Sequence, residues 1–363
     1  MYKVTIIAGA RPNFMKIAPI IHAIQKAKEE NFEIDFRLVH TGQHYDKNMS
    51  GSFFEQLEIP KPHVNLECSG GTQAEQTAAI MISFEKELMT NPADLVLVVG
   101  DVTSTMACAL VAQKLHVEVA HVEGGIRSDD WSMPEEINRL VTDSITNYFF
   151  TTSESANANL KNSGVKDDQI FFVGNTMIDT LLKQRPNFTQ PIVWDELGLK
   201  ERNYIVMTLH RPANVDEESQ LKDMIDEIIA NTQELPLVFP VHPRTAKILK
   251  RLNVNHSRLH MVEPLSYLEF NYLVERAKAV ITDSGGITEE ASIMRVPCLT
   301  LRDNTERPET ITLGTNELVG TNPKNLKPFL DKLFAGKWKI GNYIPLWDGK
   351  TAERIVETLK KMC

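Results

Sequence analysis

Short runs of β-branched and apolar residues alternate with longer amphipathic stretches, and this alternation constrains the fold more than any other feature of the chain. Val4–Ala8 is followed by helical spacing at Ile17, Ile20, Ile21 and Ile24. Phe36–His40, Leu95–Val99, Val117–Val122, Tyr148–Thr151 and Phe171–Val173 continue the pattern, and most are separated by helical segments. It starts again with Ile205–Leu209, Leu237–Val241, Leu259–Val262, Ala279–Thr282 and Cys298–Leu301. Short apolar strands separated by helices belong in parallel sheets covered on both faces. At 363 residues the chain exceeds one typical core and suits two domains. The polar, proline-bearing stretch Gln184 to Asn203 separates the halves. The expectation is an α/β chain with two Rossmann-like doubly wound domains facing a cleft. The first covers residues 1–174 and the second 175–350, with a final helix over 351–363 packing back on the first.

Hydrophobic residues make up 42% and charged residues 24%, as in ordinary globular proteins. A net charge of -9 argues against nucleic acid as a partner, though a local cationic cluster could still hold a small anion. Cys68, Cys108, Cys298 and Cys363 are far apart and form no CxxC. Cys108 and Cys298 sit among apolar residues and read as buried thiols of a reducing compartment. The N-terminal apolar run is short and interrupted by Arg11, unlike a signal peptide, and no segment has the length of a membrane span. These readings point to a soluble cytoplasmic protein with no membrane partner.

Ligands of such folds bind beyond the carboxyl ends of the strands. There the chain carries Gly9-Ala10-Arg11-Pro12 with Lys16, Thr41-Gly42-Gln43-His44-Tyr45, Gly100-Asp101 with Ser104, and Glu123-Gly124-Gly125-Ile126-Arg127. The second half adds His210-Arg211, His242-Pro243-Arg244, Asp283-Ser284-Gly285-Gly286, and Arg302 followed by Thr305-Glu306-Arg307-Pro308. A single charged loop residue is usually just solvated, but nearly every strand end here carries His, Arg, Asp or Glu beside glycine. Strand, Ser284-Gly285-Gly286 and helix make a phosphate cradle, because backbone N–H groups and the helix N-terminus favour an anion. Glu289 and Glu290 just beyond would repel that anion unless they face sugar hydroxyls, so a pyrophosphate joined to a ribose reconciles the two.

Ser132 to Arg139 opens a helix, with Ser132 able to cap and Pro134 in the first turn. Glu135 and Arg139 are four residues apart and share a face. They form either a surface ion pair or a carboxylate aimed into the cleft and oriented by Arg139. No HExxH, zinc-type Cys/His cluster or Asp-x-Asp pair occurs, and the first strand–helix turn lacks GxGxxG. Neither a metal nor NAD is therefore expected. The charge of a diphosphate would fall to backbone N–H groups and to Arg11, Lys16, His210, Arg211, Arg302 and Arg307.

In order along the chain stand GARPNFMKIAPI, TGQHYDKNMS, VVGDVTSTMACAL, AHVEGGIRSDDWSMPEEINR, VGNTMIDTL, TLHRPANV, PVHPR, TDSGGITEEAS and RDNTERPE. Together they resemble the non-hydrolysing UDP-N-acetylglucosamine 2-epimerases from about Val4 to about Val319. The resemblance implies the two-domain GT-B arrangement, usually in a homodimer. It implies interconversion of UDP-GlcNAc and UDP-ManNAc by UDP elimination to a glycal and re-addition, with no cofactor, for surface polysaccharide synthesis. It places the nucleotide site on Ser284, Gly285, Gly286 and Glu290, with Glu290 on the ribose and Phe270 near the uracil. Arg11 and His210 would face the diphosphate, and His210 counts with the catalytic set. The acid/base carboxylates fall on Asp101, Glu123 and Glu135, with Lys16 and Arg139 beside them. Gln43, His44 and His242 match an activating-substrate site found in some members.

Three motifs depart from the family's pattern. Gly-Thr-Arg-Pro-Glu is here Gly9-Ala10-Arg11-Pro12-Asn13, His-Arg-Arg-Glu is His210-Arg211-Pro212-Ala213, and Glu-Ala-Gly is Glu123-Gly124-Gly125. The alternatives are the same chemistry on another UDP-2-acetamido sugar, a hydrolysing 2-epimerase, and a GT-B glycosyltransferase.

Overall fold

The computed structural model describes residues 1–43, 54–215, 217–241 and 243–362, without the side chains of 212, 213, 243 and 244. The chain divides into two compact units, Met1–Thr180 with Pro345–Cys363, and Leu181–Ile344. The division falls inside the helix Thr176–Gln184, a few residues after the 174/175 boundary read from the sequence.

Unit 1 holds seven parallel strands: β1 Tyr2–Ala8, β2 Ile34–His40, β3 Val64–Asn65, β4 Leu95–Val99, β5 Glu118–Val122, β6 Tyr148–Thr151 and β7 Ile170–Phe172. Their spatial order is β3-β2-β1-β4-β5-β6-β7. Every residue of β4 (LVLVV) is buried, as a strand covered on both faces requires. Unit 2 holds β8 Ile205–Thr208, β9 Leu237–Pro240, β10 Leu259–Val262, β11 Ala279–Thr282, β12 Cys298–Thr300 and β13 Asn316–Leu318. Their order is β10-β9-β8-β11-β12-β13, again all parallel. Both sheets are doubly wound. The strand order reverses between β1 and β4 in unit 1 and between β8 and β11 in unit 2, and those are the positions where such sheets bind ligands.

The apolar runs all became strands, to within two residues at either end. The strands not anticipated, β3 and β13, are short edge strands without an apolar run. Among the described residues no helix is long and apolar enough to cross a membrane. Cys68, Cys108 and Cys298 are buried free thiols.

After unit 2 the chain returns to unit 1, where the helix Thr351–Lys360 packs on the helix Arg11–Glu29. Asp179 caps the returning helix: its carboxylate accepts from Thr351 N (3.1 Å) and Ala352 N (2.7 Å). Burial pushes the Asp179 carboxyl up to about 6 against the pull of those donors. Trp347 Nε1 donates to Thr152 O at 2.9 Å. Gly174 makes the return geometrically feasible. Its φ is +105°, and an added Cβ would stand 2.1 Å from Leu346 O. Gly174→Ala should therefore destabilise the protein by about 2–3 kcal/mol through strain and a backbone clash. A denaturant midpoint equal to that of the parent would contradict this.

Candidate active site

In unit 1 the site is built on the turns after β1, β4 and β5. Asn13, 2% exposed, locks the first of these. Its Oδ1 accepts from Gly9 N (3.0 Å) and Ala10 N (2.9 Å), while its Nδ2 donates to Val99 O (3.2 Å) at the end of β4. The amide thus ties the two switch-point strands by accepting and donating at once. A carboxylate, as in the family's Gly-Thr-Arg-Pro-Glu, could only accept. Gly9 is required by close approach, since a Cβ would lie 2.2 Å from Ser104 Oγ. Arg11 opens the following helix, half-buried, and burial holds its guanidinium below the usual value.

Lys16 donates from Nζ to Glu123 Oε2 at 2.8 Å, with side-chain exposures of 14% and 3%. A Cβ on Gly100 would meet the same Nζ at 3.3 Å, so the Lys16 cation lies between the Glu123 carboxylate and the turn that carries Asp101. Asp101 accepts from Arg139 Nη1 at 2.5 Å. Lys16, Asp101, Glu123 and Arg139 are therefore brought together.

Arg139 does not pair with Glu135, as the i,i+4 spacing suggested. Its Nε and Nη2 reach Glu136 Oε2 at 2.9 and 2.7 Å, one residue further on. Glu136 also accepts from Ser128 N (3.0 Å), Ser128 Oγ (2.9 Å) and Asp129 N (3.2 Å). A loop that folds back over the helix start needs an acceptor for its N–H groups. The residue facing that loop takes the role and draws the buried Arg139 with it. Burial alone would raise the Glu136 carboxyl, but the Ser128 N–H and the Arg139 charge outweigh it and hold it low. Glu135 stays partly exposed in the first helical turn, with no hydrogen bond or ion pair among the described residues.

The Gly124 departure has a local reason. A Cβ there would stand 2.9 Å from the Phe149 ring, which fills the space that an alanine methyl would take. Gln43 Oε1 accepts from Ser104 N (3.1 Å) and Ser104 Oγ (2.8 Å), holding the start of the helix after β4. His44 and His242 lie outside the described residues.

In unit 2, Asp283 is fully buried at the switch point. It accepts from His210 N (3.0 Å), Arg211 N (2.9 Å) and Asn214 Nδ2 (3.1 Å), and its Oδ1 lies 2.7 Å from His210 Nδ1. That bond directs Nε2 of His210, whose side chain is 60% exposed, away from the carboxylate. The sequence pattern alone assigns Asp283 no role. An acid closing an apolar strand and followed by Ser-Gly-Gly was the available signal.

Ser284 precedes the helix Gly285–Ile293. Neither Gly285 nor Gly286 has a positive φ, and a Cβ at Gly286 would meet nothing within 4 Å. No internal contact demands glycine there, and the pair leaves the N–H groups of the first helical turn open to approach. Glu290 is buried in that helix and accepts from Tyr267 Oη at 2.7 Å. Burial pushes its carboxyl up to about 7, and Glu289 adds to the rise. Phe270 lies half-buried on the adjoining helix Tyr267–Arg276. The three arginines of unit 2 counted toward a diphosphate also face carboxylates: Arg302 pairs with Glu306 at 2.6 Å, Arg211 reaches the same carboxylate at 3.5 Å, and Arg307 pairs with Glu289. Burial would raise Glu306, but Arg302 and Arg211 hold it down at about 2.

Together, a glycine turn that opens a helix on one doubly wound unit and cation-anchored carboxylates on the other are groups that suit a nucleotide-sugar enzyme of the α/β class. The family model of UDP-N-acetylglucosamine 2-epimerase matches residues 25–360. The chain belongs to that family and is an isomerase. It is 42% identical to the UDP-N-acetylglucosamine 2-epimerase of Methanocaldococcus jannaschii, with 98% of each chain covered. A crystal structure of that enzyme in complex with UDP-GlcNAc and UDP superposes with a TM-score of 0.88, covering 99% of both chains. The chain is also 41% identical, over 88% of each, to the UDP-2,3-diacetamido-2,3-dideoxy-D-glucuronate 2-epimerase of Pseudomonas aeruginosa. A lipopolysaccharide outer core galactosyltransferase shares the fold alone, at 13% identity and a TM-score of 0.57.

Proposed function

We propose that this chain inverts C2 of UDP-N-acetylglucosamine to give UDP-N-acetylmannosamine, by elimination of UDP and its re-addition. A carboxylate removes the C2 proton while the C1–O bond to UDP breaks, leaving a C1=C2 glycal. Protonation of C2 from the opposite face and re-addition of UDP to C1 complete the inversion. The observation that carries this reading is the paired anchoring of Glu123 on Lys16 and Asp101 on Arg139. An acid and a base on two faces of a ring need fixed positions, and paired cations supply them. Glu135 is the third candidate for proton transfer.

Unit 2 binds the nucleotide. Ser284, Gly285, Gly286 and His210 meet the diphosphate, Glu290 takes the ribose hydroxyls, and Phe270 lies by the uracil. UDP gains charge as it leaves, so Arg11, His210 and the glycine turn stabilise the transition state more than the ground state. The enzyme acts as a homodimer, and its product feeds surface polysaccharide synthesis.

A second reading is favoured by the Pseudomonas relative, which is nearly as similar and acts on a diacetamido glucuronate. Incubation in D2O with each UDP-sugar, followed by NMR, separates the two. Epimerisation of UDP-GlcNAc should give UDP-ManNAc bearing deuterium at C2. Deuterium exchange only with the diacetamido glucuronate would move the assignment to that sugar, and free ManNAc would make the enzyme a hydrolase.

A further inference from the structure

We propose that Asp143 and His121 are positioning residues for the C2 reaction, a role that rests on the epimerase reading above. Both acid/base turns are conformationally demanding. Gly100, just before Asp101, has φ +69°, and Glu123 itself sits at φ +71°, where a non-glycine residue is strained. Such conformations persist only where their surroundings over-determine them.

One buried chain of hydrogen bonds spans both turns. His121, on β5 two residues before Glu123, is fully buried. Its Nε2 lies 2.8 Å from Gly100 O and its Nδ1 2.7 Å from Asp143 Oδ1. The other oxygen of Asp143 accepts from Gly125 N at 3.0 Å and from Arg127 Nη1 at 2.6 Å. Asp143 lies on the helix Pro134–Ser144, one turn beyond Arg139. That same helix holds the Asp101 turn through Asn138 Nδ2, 2.8 Å from Asp101 O. A single carboxylate therefore links the Asp101 turn, the Glu123 turn and the helix carrying Glu135.

The charges follow from the acceptors. Burial alone would raise the Asp143 carboxyl, but His121 and Arg127 outweigh burial and hold it ionised. His121 thus bridges the Gly100 carbonyl and the Asp143 carboxylate through its two ring nitrogens. The result is a buried clamp on both turns. It fixes the spacing of groups that gain and lose protons during turnover, where a displacement of about 1 Å costs on the order of 100-fold in rate.

Asp143→Asn and His121→Gln, each made in the full chain, test the proposal. For both, kcat should fall about 10- to 100-fold. KM and the calorimetric Kd for UDP should stay within about threefold, because both residues belong to unit 1 and neither is among the groups proposed for the nucleotide. A folded variant with parental kcat would overturn the proposal, as would parallel loss of kcat and UDP binding. A measurement on the parent protein covers variants that fail to fold: hydrogen exchange of the Gly125 N–H, which donates to Asp143, should be strongly protected. Fast exchange there would overturn the clamp. A parent that exchanges C2 of no UDP-2-acetamido sugar would sink the epimerase reading, and the positioning role with it, whatever the protection at Gly125.

Discussion

Glu123→Gln is expected to cut C2 deuterium exchange by about 100- to 10,000-fold, the range general acid–base groups contribute, while UDP still binds. An amide takes up no proton under these conditions. Its NH2 could also turn toward Lys16 Nζ, which now faces Glu123 Oε2 at 2.8 Å. Asp101→Asn should match that loss in rate and add a loss in stability that Glu123→Gln lacks. The reason is burial of the partner. Arg139 is 2% exposed and would keep only Glu136 as a counter-charge, whereas Lys16 retains access to water. Exchange at the parental rate in either variant would remove that residue from the acid/base set.

The second large effect is expected at Asp283. Asp283→Ala removes the acceptor of His210 N, Arg211 N and Asn214 Nδ2 and the partner of His210 Nδ1. Breaking a buried charged network of this kind costs about 3–5 kcal/mol. UDP affinity should collapse as well, because Asp283 fixes His210 and leads directly into the Ser284 turn. Asp283→Asn should be milder, keeping one acceptor oxygen. The same group sets an acid limit. Burial alone would raise the Asp283 carboxyl, but the His210 and Arg211 contacts hold it below its ordinary value. The stabilisation is therefore complete above the unfolded value of about 3.9 and fades as pH falls through the lower folded value. Acid unfolding monitored in the parent and in Asp283→Asn should show a shallower acid limb in the variant. Identical limbs would rule Asp283 out as a contributor.

The strands were legible because a doubly wound sheet needs apolar side chains on both faces, and Leu95–Val99 or Ala279–Thr282 could hardly do anything else. The edge strands Val64–Asn65 and Asn316–Leu318 were not, since an edge needs only backbone partners. The positions of the candidate site residues followed from the strand-end rule. Their partners did not. Arg139 chose Glu136 over Glu135 because the Ser128–Asp129 loop returns to that point, and loop paths leave no periodic trace. Asp143 and Asp283 likewise look like ordinary polar residues until the turns they hold are seen. Arg302 and Arg307 read as cations for a ligand, and each also pairs with a carboxylate of unit 2, Glu306 four residues on and the buried Glu289.

The cap that Asp179 places on the last helix also orders events during synthesis. Unit 2 is an insertion within unit 1, so all of its residues leave the ribosome before the segment after Pro345 that completes the earlier unit. Unit 2 can close its core while the carboxylate-bearing unit still waits for its final helix and the capping contact. The half that carries the proposed proton chemistry is thus the last to be finished.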